Sequence, residues 1–160
     1  MSRILVAYFS VGGTTEEAAG ILAAVEGAEM FEIRPEIPYV PADLDYTDKQ
    51  SRTTREMSDP DCRPALAGGV EDMEKYDRVF VGFPLWWGRE PSVVDSFLEA
   101  HSFAGKKVVP FCTSGGSDIT AATERIRRLL GEDVCVEDGK RLGGEISAVE
   151  MKVWADGLEK

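Results

Sequence analysis

The stretch Ile4-Leu5-Val6-Ala7-Tyr8-Phe9 is apolar without a break, and it is the feature that most constrains the fold of this chain. A strand with one face in water alternates apolar and polar residues, whereas an unbroken run suits a strand buried on both faces. Strand-like runs recur at residues 30–33, 77–83, 108–112 and 134–136, with helical patterns between them. This alternation predicts an α/β fold in which helices cover both faces of a doubly wound, five-stranded parallel sheet.

The segments between the predicted strands carry helix signals and one long loop. Thr14 with Glu17 three residues later is typical of a capping box at a helix start, and Pro91 suits the first position of another helix. An amphipathic helix is predicted over 146–158. The proline-rich stretch 35–64 is unusually long for a compact domain and includes Tyr39 and Tyr46. A loop of this length is usually functional or disordered, and its aromatic residues favour order.

Size and charge limit the classes of partner. The chain has 160 residues, which predicts one domain over 1–160, and its formal net charge is −11. A negative field repels phosphate backbones and anionic membrane surfaces, so neither nucleic acid nor membrane insertion is expected. A basic face on a protein partner would be attracted.

Several chemistries find no support in the sequence. The cysteines at 62, 112 and 135 are widely spaced and form no Cys-x-x-Cys, so we expect neither a disulfide framework nor a metal site. No catalytic residue or paired-carboxylate arrangement is predicted. His101 is expected at the surface, and Arg63 either braces the long segment or contacts a ligand. The first residues lack the pattern of a signal peptide, and no apolar run approaches the ~18 residues of a membrane span, so a cytoplasmic protein is expected.

Three unusual loops each follow a predicted strand directly. They are residues 10–15, 84–88 and 113–117, here called the first, second and third loops. In a parallel sheet the carboxyl ends of the strands share one edge, so these loops are predicted to meet there.

The first loop has the chemistry of an anion site. Its glycines, Gly12 and Gly13, precede a predicted helix whose free N–H groups and dipole attract negative charge, and its hydroxyl groups can donate as well. No lysine or arginine lies in the loop, which suits a terminal phosphate monoester held by neutral donors. The patterns for nucleoside triphosphates and dinucleotides are missing. The alternative is a plain strand-to-helix turn.

The other two loops suit a flat ligand. Trp86 and Trp87 cannot easily both point inward, so we expect one to be buried and one to be available for stacking. Ser114-Gly115-Gly116 lets the backbone approach a ring closely. Together the loops predict a site for a flat ring with a phosphorylated tail, and flavin mononucleotide (FMN) fits that description.

These loops resemble those of the flavodoxin family. The first loop, with Ala19 after it, is similar to the family's phosphate-loop pattern. The similarity is closer still to a flavodoxin-like branch whose motifs span nearly the whole chain. They are Ala-Tyr-Phe-Ser at the end of the first strand, Arg-Pro-Ala-Leu at 63–66, Pro-x-Trp-Trp-Gly at 84–88 and Pro-Phe-Cys-Thr-x-Gly-Gly-Ser at 110–117.

The resemblance implies a flavodoxin-like fold with strand order 2-1-3-4-5 and non-covalently bound FMN. By motif position, the phosphate would be bound by Ser10, Val11, Gly12, Gly13, Thr14 and Thr15. The ring would be flanked by Pro84, Leu85, Trp86, Trp87 and Gly88, with Trp87 as the stacking face, and on its other side by Thr113, Ser114, Gly115 and Gly116.

One departure from the family leaves two functions open. The third loop lacks the aromatic residue that covers the outer ring face in many electron-carrier flavodoxins. Either Tyr39 or Tyr46 closes over the flavin, or that face is open to a substrate. The first hypothesis is an FMN-dependent redox protein that exchanges electrons with partner proteins. The alternative is an NAD(P)H-dependent reductase of quinones, nitroaromatics or free flavin, and a third possibility is an interaction module that has lost its flavin.

Overall fold

The computed structural model describes residues 3–114, 118–143 and 146–158. In chain order the elements are β1 Ile4–Tyr8, α1 Thr14–Glu26, β2 Glu29–Glu32, α2 Arg52–Ser58, β3 Arg78–Pro84, α3 Ser92–Ala100, β4 Lys107–Thr113, α4 Thr120–Leu130, β5 Cys135–Val136, β6 Lys140–Leu142 and α5 Ala148–Gly157. Single turns of 3₁₀ helix occur at Pro41–Leu44 and Met73–Lys75.

The sheet is parallel, and its strand order confirms the predicted 2-1-3-4-5 arrangement. Its fifth position is made of two short pieces, because β5 and β6 both pair with β4. The sequence predicted only the first piece. The second, Lys140–Leu142, is polar at two of its three positions and therefore lacks the apolar run that identified the other strands.

Helices cover both faces of the sheet, as predicted. Alternate side chains of the central strands enter two separate cores. One core, with Val81 of β3 as a member, is covered by α3 and α4, and the other, with Phe80, is covered by α1 and α5. Gly82 has no alternative on this strand, because a Cβ there would collide with the Phe111 ring of β4.

The carboxyl ends of three neighbouring strands are level with one another. Thr113, the last residue of β4, is in register with Pro84 of β3 on one side and with Leu142 of β6 on the other. This register brings the loops after these strands to one edge of the sheet, as the sequence predicts.

Two predictions about helix starts were wrong. The N-cap of α1 is Gly13, and no side chain of the described residues caps it, so the Thr14–Glu17 capping box does not form. Pro91 is the N-cap of α3 and not its first residue. The N-cap of α4 is Ile119, and Asp118 Oδ1, from the residue before it, accepts a hydrogen bond from the backbone N–H of Thr120 at 2.8 Å.

Candidate functional site

The first loop is held open around its glycines. Gly13 has φ +91°, a left-handed value that glycine adopts without strain, and a Cβ at Gly12 or Gly13 would meet nothing within 4 Å. Ser10 Oγ accepts a hydrogen bond from the backbone N–H of Gly13 at 3.2 Å, which leaves the hydroxyl hydrogen of Ser10 free to donate. The start of α1 therefore offers its backbone donors to whatever lies above the loop.

A cavity of about 400 Å³ lies against this loop. It is lined by Ser10, Val11, Gly12, Thr14, Thr15, Pro84, Thr113, Ser114, Leu142, Gly143 and Ile146. None of these lining residues carries a charged side chain. The lining itself thus offers hydroxyl and backbone dipoles to a ligand, and the neighbouring Arg141 guanidinium donates to the Ser114 carbonyl oxygen at 2.8 Å.

The first and third loops are joined by one buried contact. Thr15 Oγ1 and Thr113 Oγ1 lie 2.7 Å apart, and both residues are buried. Sequence reasoning assigned both threonines to the site. It missed Leu142, Gly143 and Ile146, which reach the cavity because β6 extends the sheet edge beyond Thr113. Gly115 and Gly116, also assigned to the site, lie outside the described residues.

The second loop ends in a tight turn, here called the tryptophan turn, residues 86–89. Trp86 and Arg89 exchange two backbone hydrogen bonds of 3.0 and 3.1 Å. The two residues between these positions are Trp87, with φ +51°, and Gly88, with φ +79°. This is the pattern of a type I′ turn, whose positive φ values glycine adopts readily and tryptophan adopts only with strain. The turn therefore exposes the Trp87 side chain while its backbone is held in a strained, left-handed conformation.

The two tryptophans have different surroundings, as the sequence predicts. Trp86 packs edge-on against Phe9 and Tyr39, with ring centroids 5.5 Å apart in each case. Trp87 is 53% exposed. Trp86 therefore anchors the second loop, and Trp87 is available to stack on a ligand.

A second cavity, of about 360 Å³, adjoins the tryptophans. Its lining comprises Val11, Leu44, Tyr46, Thr53, Leu85, Trp86 and Trp87. Val11 lines both cavities, so they meet at the first loop. The long segment 35–64 thus forms one wall of the second cavity, which gives it a place in the site.

The two tyrosines of this segment differ in their freedom. The Tyr39 hydroxyl donates to Glu56 Oε1 at 2.5 Å, and the Arg52 guanidinium lies 4.0 Å from the centre of its ring. Burial, followed by the bond to Glu56, raises the Tyr39 pKa well above its ordinary value of 10.0. Tyr46 is 77% exposed on the cavity rim. Of the two, Tyr46 is the one placed to cover a ligand.

Three other residues that the sequence analysis considered are held by contacts within the fold or are buried in it. Arg63 makes a two-pronged contact with Glu99, at 2.9 and 3.1 Å, and donates to backbone carbonyls, so it braces the long segment. His101 is half-buried rather than at the surface, because its Nε2 accepts from the backbone N–H of Val70 at 2.9 Å. Cys112 is fully buried, and burial raises its thiol pKa to about 12.

A buried acidic pair was missed altogether. Glu90 and Asp95 are both 0% exposed and contact arginines from three separate segments. No local sequence pattern indicates this pair, because the arginines that contact it, Arg63, Arg89 and Arg125, are far from one another in the sequence. Within the described residues, no group of three or more histidine, cysteine or acidic side chains could hold a metal ion. No helix among them is long and apolar enough to cross a membrane.

Comparisons with known proteins agree with this geometry. A family model described as flavodoxin matches residues 3–158. A crystal structure of a protein assigned as a flavoprotein from Bacteroides eggerthii is 41% identical, covers 100% of this chain and 99% of its own, and has a TM-score of 0.94. A similar structure from Bacteroides uniformis is 39% identical, with coverages of 97% and 98% and a TM-score of 0.92.

Two more distant relatives are informative. A flavoprotein in complex with FMN from Lactobacillus acidophilus has the same fold, with a TM-score of 0.77, full coverage of both chains and 18% identity. A curated protein from Acidovorax ebreus, named NAD(P)H dehydrogenase (quinone), is 32% identical over 99 residues, or 62% of this chain. The match spans less than half of that relative, 46% of its length.

Proposed function

The chain belongs to the flavodoxin family, and from that premise we propose that it binds FMN non-covalently and acts as a redox protein. The observation that carries the proposal is the uncharged cavity at the carboxyl edge of the sheet, where the start of α1 and the paired hydroxyls of Thr15 and Thr113 converge. Such a cavity fits a phosphate monoester on a short polar tail.

The first loop would bind the phosphate through neutral donors. The backbone N–H groups that begin α1 and the hydroxyls of Ser10 and Thr14 surround the loop without a competing side-chain cap among the described residues. Hydrogen bonds to a charged acceptor contribute about 1.5–3 kcal/mol each, so a few of them hold a dianion without a lysine or arginine. The open space at Gly12 and Gly13 admits the phosphate oxygens.

The second loop would hold the ring. Trp87 offers an exposed indole face, while Trp86 keeps the loop in place through its contacts with Phe9 and Tyr39. Offset or edge contacts between aromatic systems add about 0.5–1.5 kcal/mol beyond burial. When bound, the flavin supplies the electron-accepting and electron-donating chemistry, and the protein sets its access and potential.

The acidic surface favours a low potential and basic partners. The net charge of −11 disfavours extra negative charge on a reduced ring and attracts a redox partner with a basic docking face. Salt screens the long-range part of both effects. The same field disfavours nucleic acid as a partner.

The alternative function is an NAD(P)H-dependent reductase of quinones or related acceptors. The cavity of about 360 Å³ beside Trp87 supports it, because its lining of leucine, valine and aromatic residues suits a flat, apolar acceptor. The name of the Acidovorax ebreus relative points the same way.

Two measurements test these proposals in turn. Titration of the purified protein with FMN should produce a bound-flavin absorption spectrum, and a protein that leaves FMN free in solution would refute the proposed cofactor. Stopped-flow oxidation of NADPH by the FMN-loaded protein, with and without a quinone, then separates the two functions. Rapid turnover without a partner protein indicates the reductase, and negligible turnover across a panel of quinones indicates the electron carrier.

A further inference from the structure

Two fully buried carboxyl groups follow the tryptophan turn along the chain. Glu90 is the next residue after the turn, and Asp95 lies in the first half of α3; both are 0% exposed. Glu90 Oε2 accepts from Arg125 Nε at 3.2 Å, and Asp95 Oδ2 accepts from Arg125 Nη2 at 3.0 Å. A single guanidinium of α4 therefore bridges the two acids.

The second oxygen of each acid has no protein donor among the described residues. Glu90 Oε1 and Asp95 Oδ1 are both buried, and neither has a hydrogen-bond partner there. Two ionised carboxylates held by one guanidinium away from water would repel each other, and both of these oxygens would stay unsatisfied. One proton between them satisfies both.

We propose that Glu90 and Asp95 share one proton, between Glu90 Oε1 and Asp95 Oδ1, and that this protonated pair is a positioning device that holds the tryptophan turn. The part that concerns flavin affinity rests on the proposed function, whereas the shared proton does not.

The surrounding guanidinium groups favour two ionised carboxylates, so burial and the neighbouring acid must outweigh them for the pair to hold a proton. Burial, followed by the hydrogen bond to Asp95, raises the Glu90 pKa to about 8 from 4.5. Three guanidinium groups face the pair, and one of them, Arg63, also interacts with the carboxylates of Glu99 and Asp61. The thiol of Cys62 lies near the same arginines. The guanidinium groups are those of Arg63 at 3.8 Å and Arg89 at 3.7 Å from Asp95 Oδ2, and of Arg125.

The pair is connected to the turn through Arg89. The backbone of Arg89 forms half of the turn, and its guanidinium donates to the carbonyl oxygens of Glu90 at 3.0 Å and Met57 at 3.2 Å. When the proton leaves, the two acids repel each other and Glu90 moves. Because Glu90 is bonded directly to Arg89, its movement loosens the turn and the α2 end that Arg89 holds.

Infrared spectroscopy tests the proton in the protein without flavin. We expect the carbonyl stretch of a protonated, buried carboxyl at pH 7 in the wild type and in the control Glu99→Gln, which removes an exposed carboxylate from the same cluster. The band should be absent in Glu90→Gln, whose amide replaces the proton as donor to Asp95. Absence of the band in the wild type would overturn the shared proton, whether or not flavin binds.

The fluorescence of Trp87 tests the positioning role, again without flavin. The Trp87 signal is the emission of each protein minus that of its Trp87→Phe variant. It should change between pH 7 and 9 in the wild type and in Glu99→Gln, and it should stay constant in Glu90→Gln. A pH-independent signal in the wild type, or the same titration in Glu90→Gln, would overturn the positioning role.

The affinity for FMN extends the test to the proposed function. Between pH 7 and 9 a phosphate monoester is already dianionic, since its second pKa is about 6. The wild-type Kd for FMN should rise roughly tenfold over this range, which corresponds to about 1.4 kcal/mol, and that of Glu90→Gln should change less than about twofold. Equal pH dependence in the two proteins overturns the effect on affinity. A protein that responds in fluorescence but never binds FMN refutes the proposed function and leaves the proton in place.

Discussion

The first loop and the tryptophan turn lie on the same edge of the sheet but are held in different ways. The first loop depends on local features. These are the left-handed backbone of Gly13, the hydrogen bond that the Gly13 N–H donates to Ser10, three residues earlier, and the start of α1. The turn depends on remote groups, because the acidic pair that Arg89 contacts is bound by Arg125, some 35 residues from Glu90 in sequence. Local sites of the first kind can be recognised in a sequence, whereas sites of the second kind need the fold.

The largest expected effect comes from cutting the remote support of the turn. Arg125→Met leaves two buried carboxyl groups without their common donor and should destabilise the protein by about 3 kcal/mol in urea unfolding. The control Arg127→Met, on the same helix, removes contacts with the exposed Asp138 and Glu124 and with the backbone carbonyl of Val136, leaves no buried charge unpaired, and should cost only about 1 kcal/mol. Equal losses in the two variants would remove the contrast between the regions.

The contact that joins the first loop to the third should show strong coupling. Thr15→Val leaves the buried Thr113 hydroxyl without its partner and should cost about 1–2 kcal/mol of unfolding free energy. The double variant Thr15→Val with Thr113→Val removes both polar groups and should be about as stable as the wild type or slightly less so. Additive losses in urea unfolding would show that the two hydroxyls do not depend on each other.

Within α1 and its cap, one substitution should have opposite effects at two glycines. Gly13→Ala forces a side chain into a left-handed conformation and should lower stability by about 1 kcal/mol and weaken FMN binding. Gly20→Ala, in the helix interior with open space for a methyl group, should raise stability by about 0.5–1 kcal/mol and leave binding unchanged. A stabilising Gly13→Ala in thermal unfolding would contradict the role of its backbone.

The smallest effect on stability is expected at Trp87. Asparagine tolerates positive φ in a type I′ turn, so Trp87→Asn should leave stability unchanged or raise it by up to about 1 kcal/mol while weakening FMN binding. The same change at Trp86 removes packing against Phe9 and Tyr39 and should clearly destabilise the protein. If Trp87→Asn kept full affinity for FMN, the stacking role of Trp87 would be wrong.

Much of the fold could be predicted because its signals are local. Buried strands appear as apolar runs, and the placing of the loops after β3 and β4 at one edge follows from the parallel sheet that those runs predict. β6 was missed because an edge segment with polar residues carries no such signal. The capping box failed because Gly13 ends the first loop in a conformation from which the Thr14 side chain does not cap the helix.

The site could be predicted only in part, for the same reason. Residues at or just after the end of a strand, such as Thr113 and Ser10, were placed at the sheet edge correctly. The choice between Tyr39 and Tyr46 depended on Glu56 and Arg52, which hold Tyr39 in the packed segment. The acidic pair depended on arginines from three segments, and no spacing in the sequence brings them together.

The most direct test of the account compares FMN with riboflavin, which lacks only the phosphate. Isothermal titration with both ligands measures what the neutral donors of the first loop contribute. Two hydrogen bonds to a charged acceptor, at about 1.5 kcal/mol each, predict that FMN binds roughly 100-fold more tightly than riboflavin. Equal affinities for the two ligands, or no binding of either, would contradict the central claim that uncharged groups at this edge bind a phosphate.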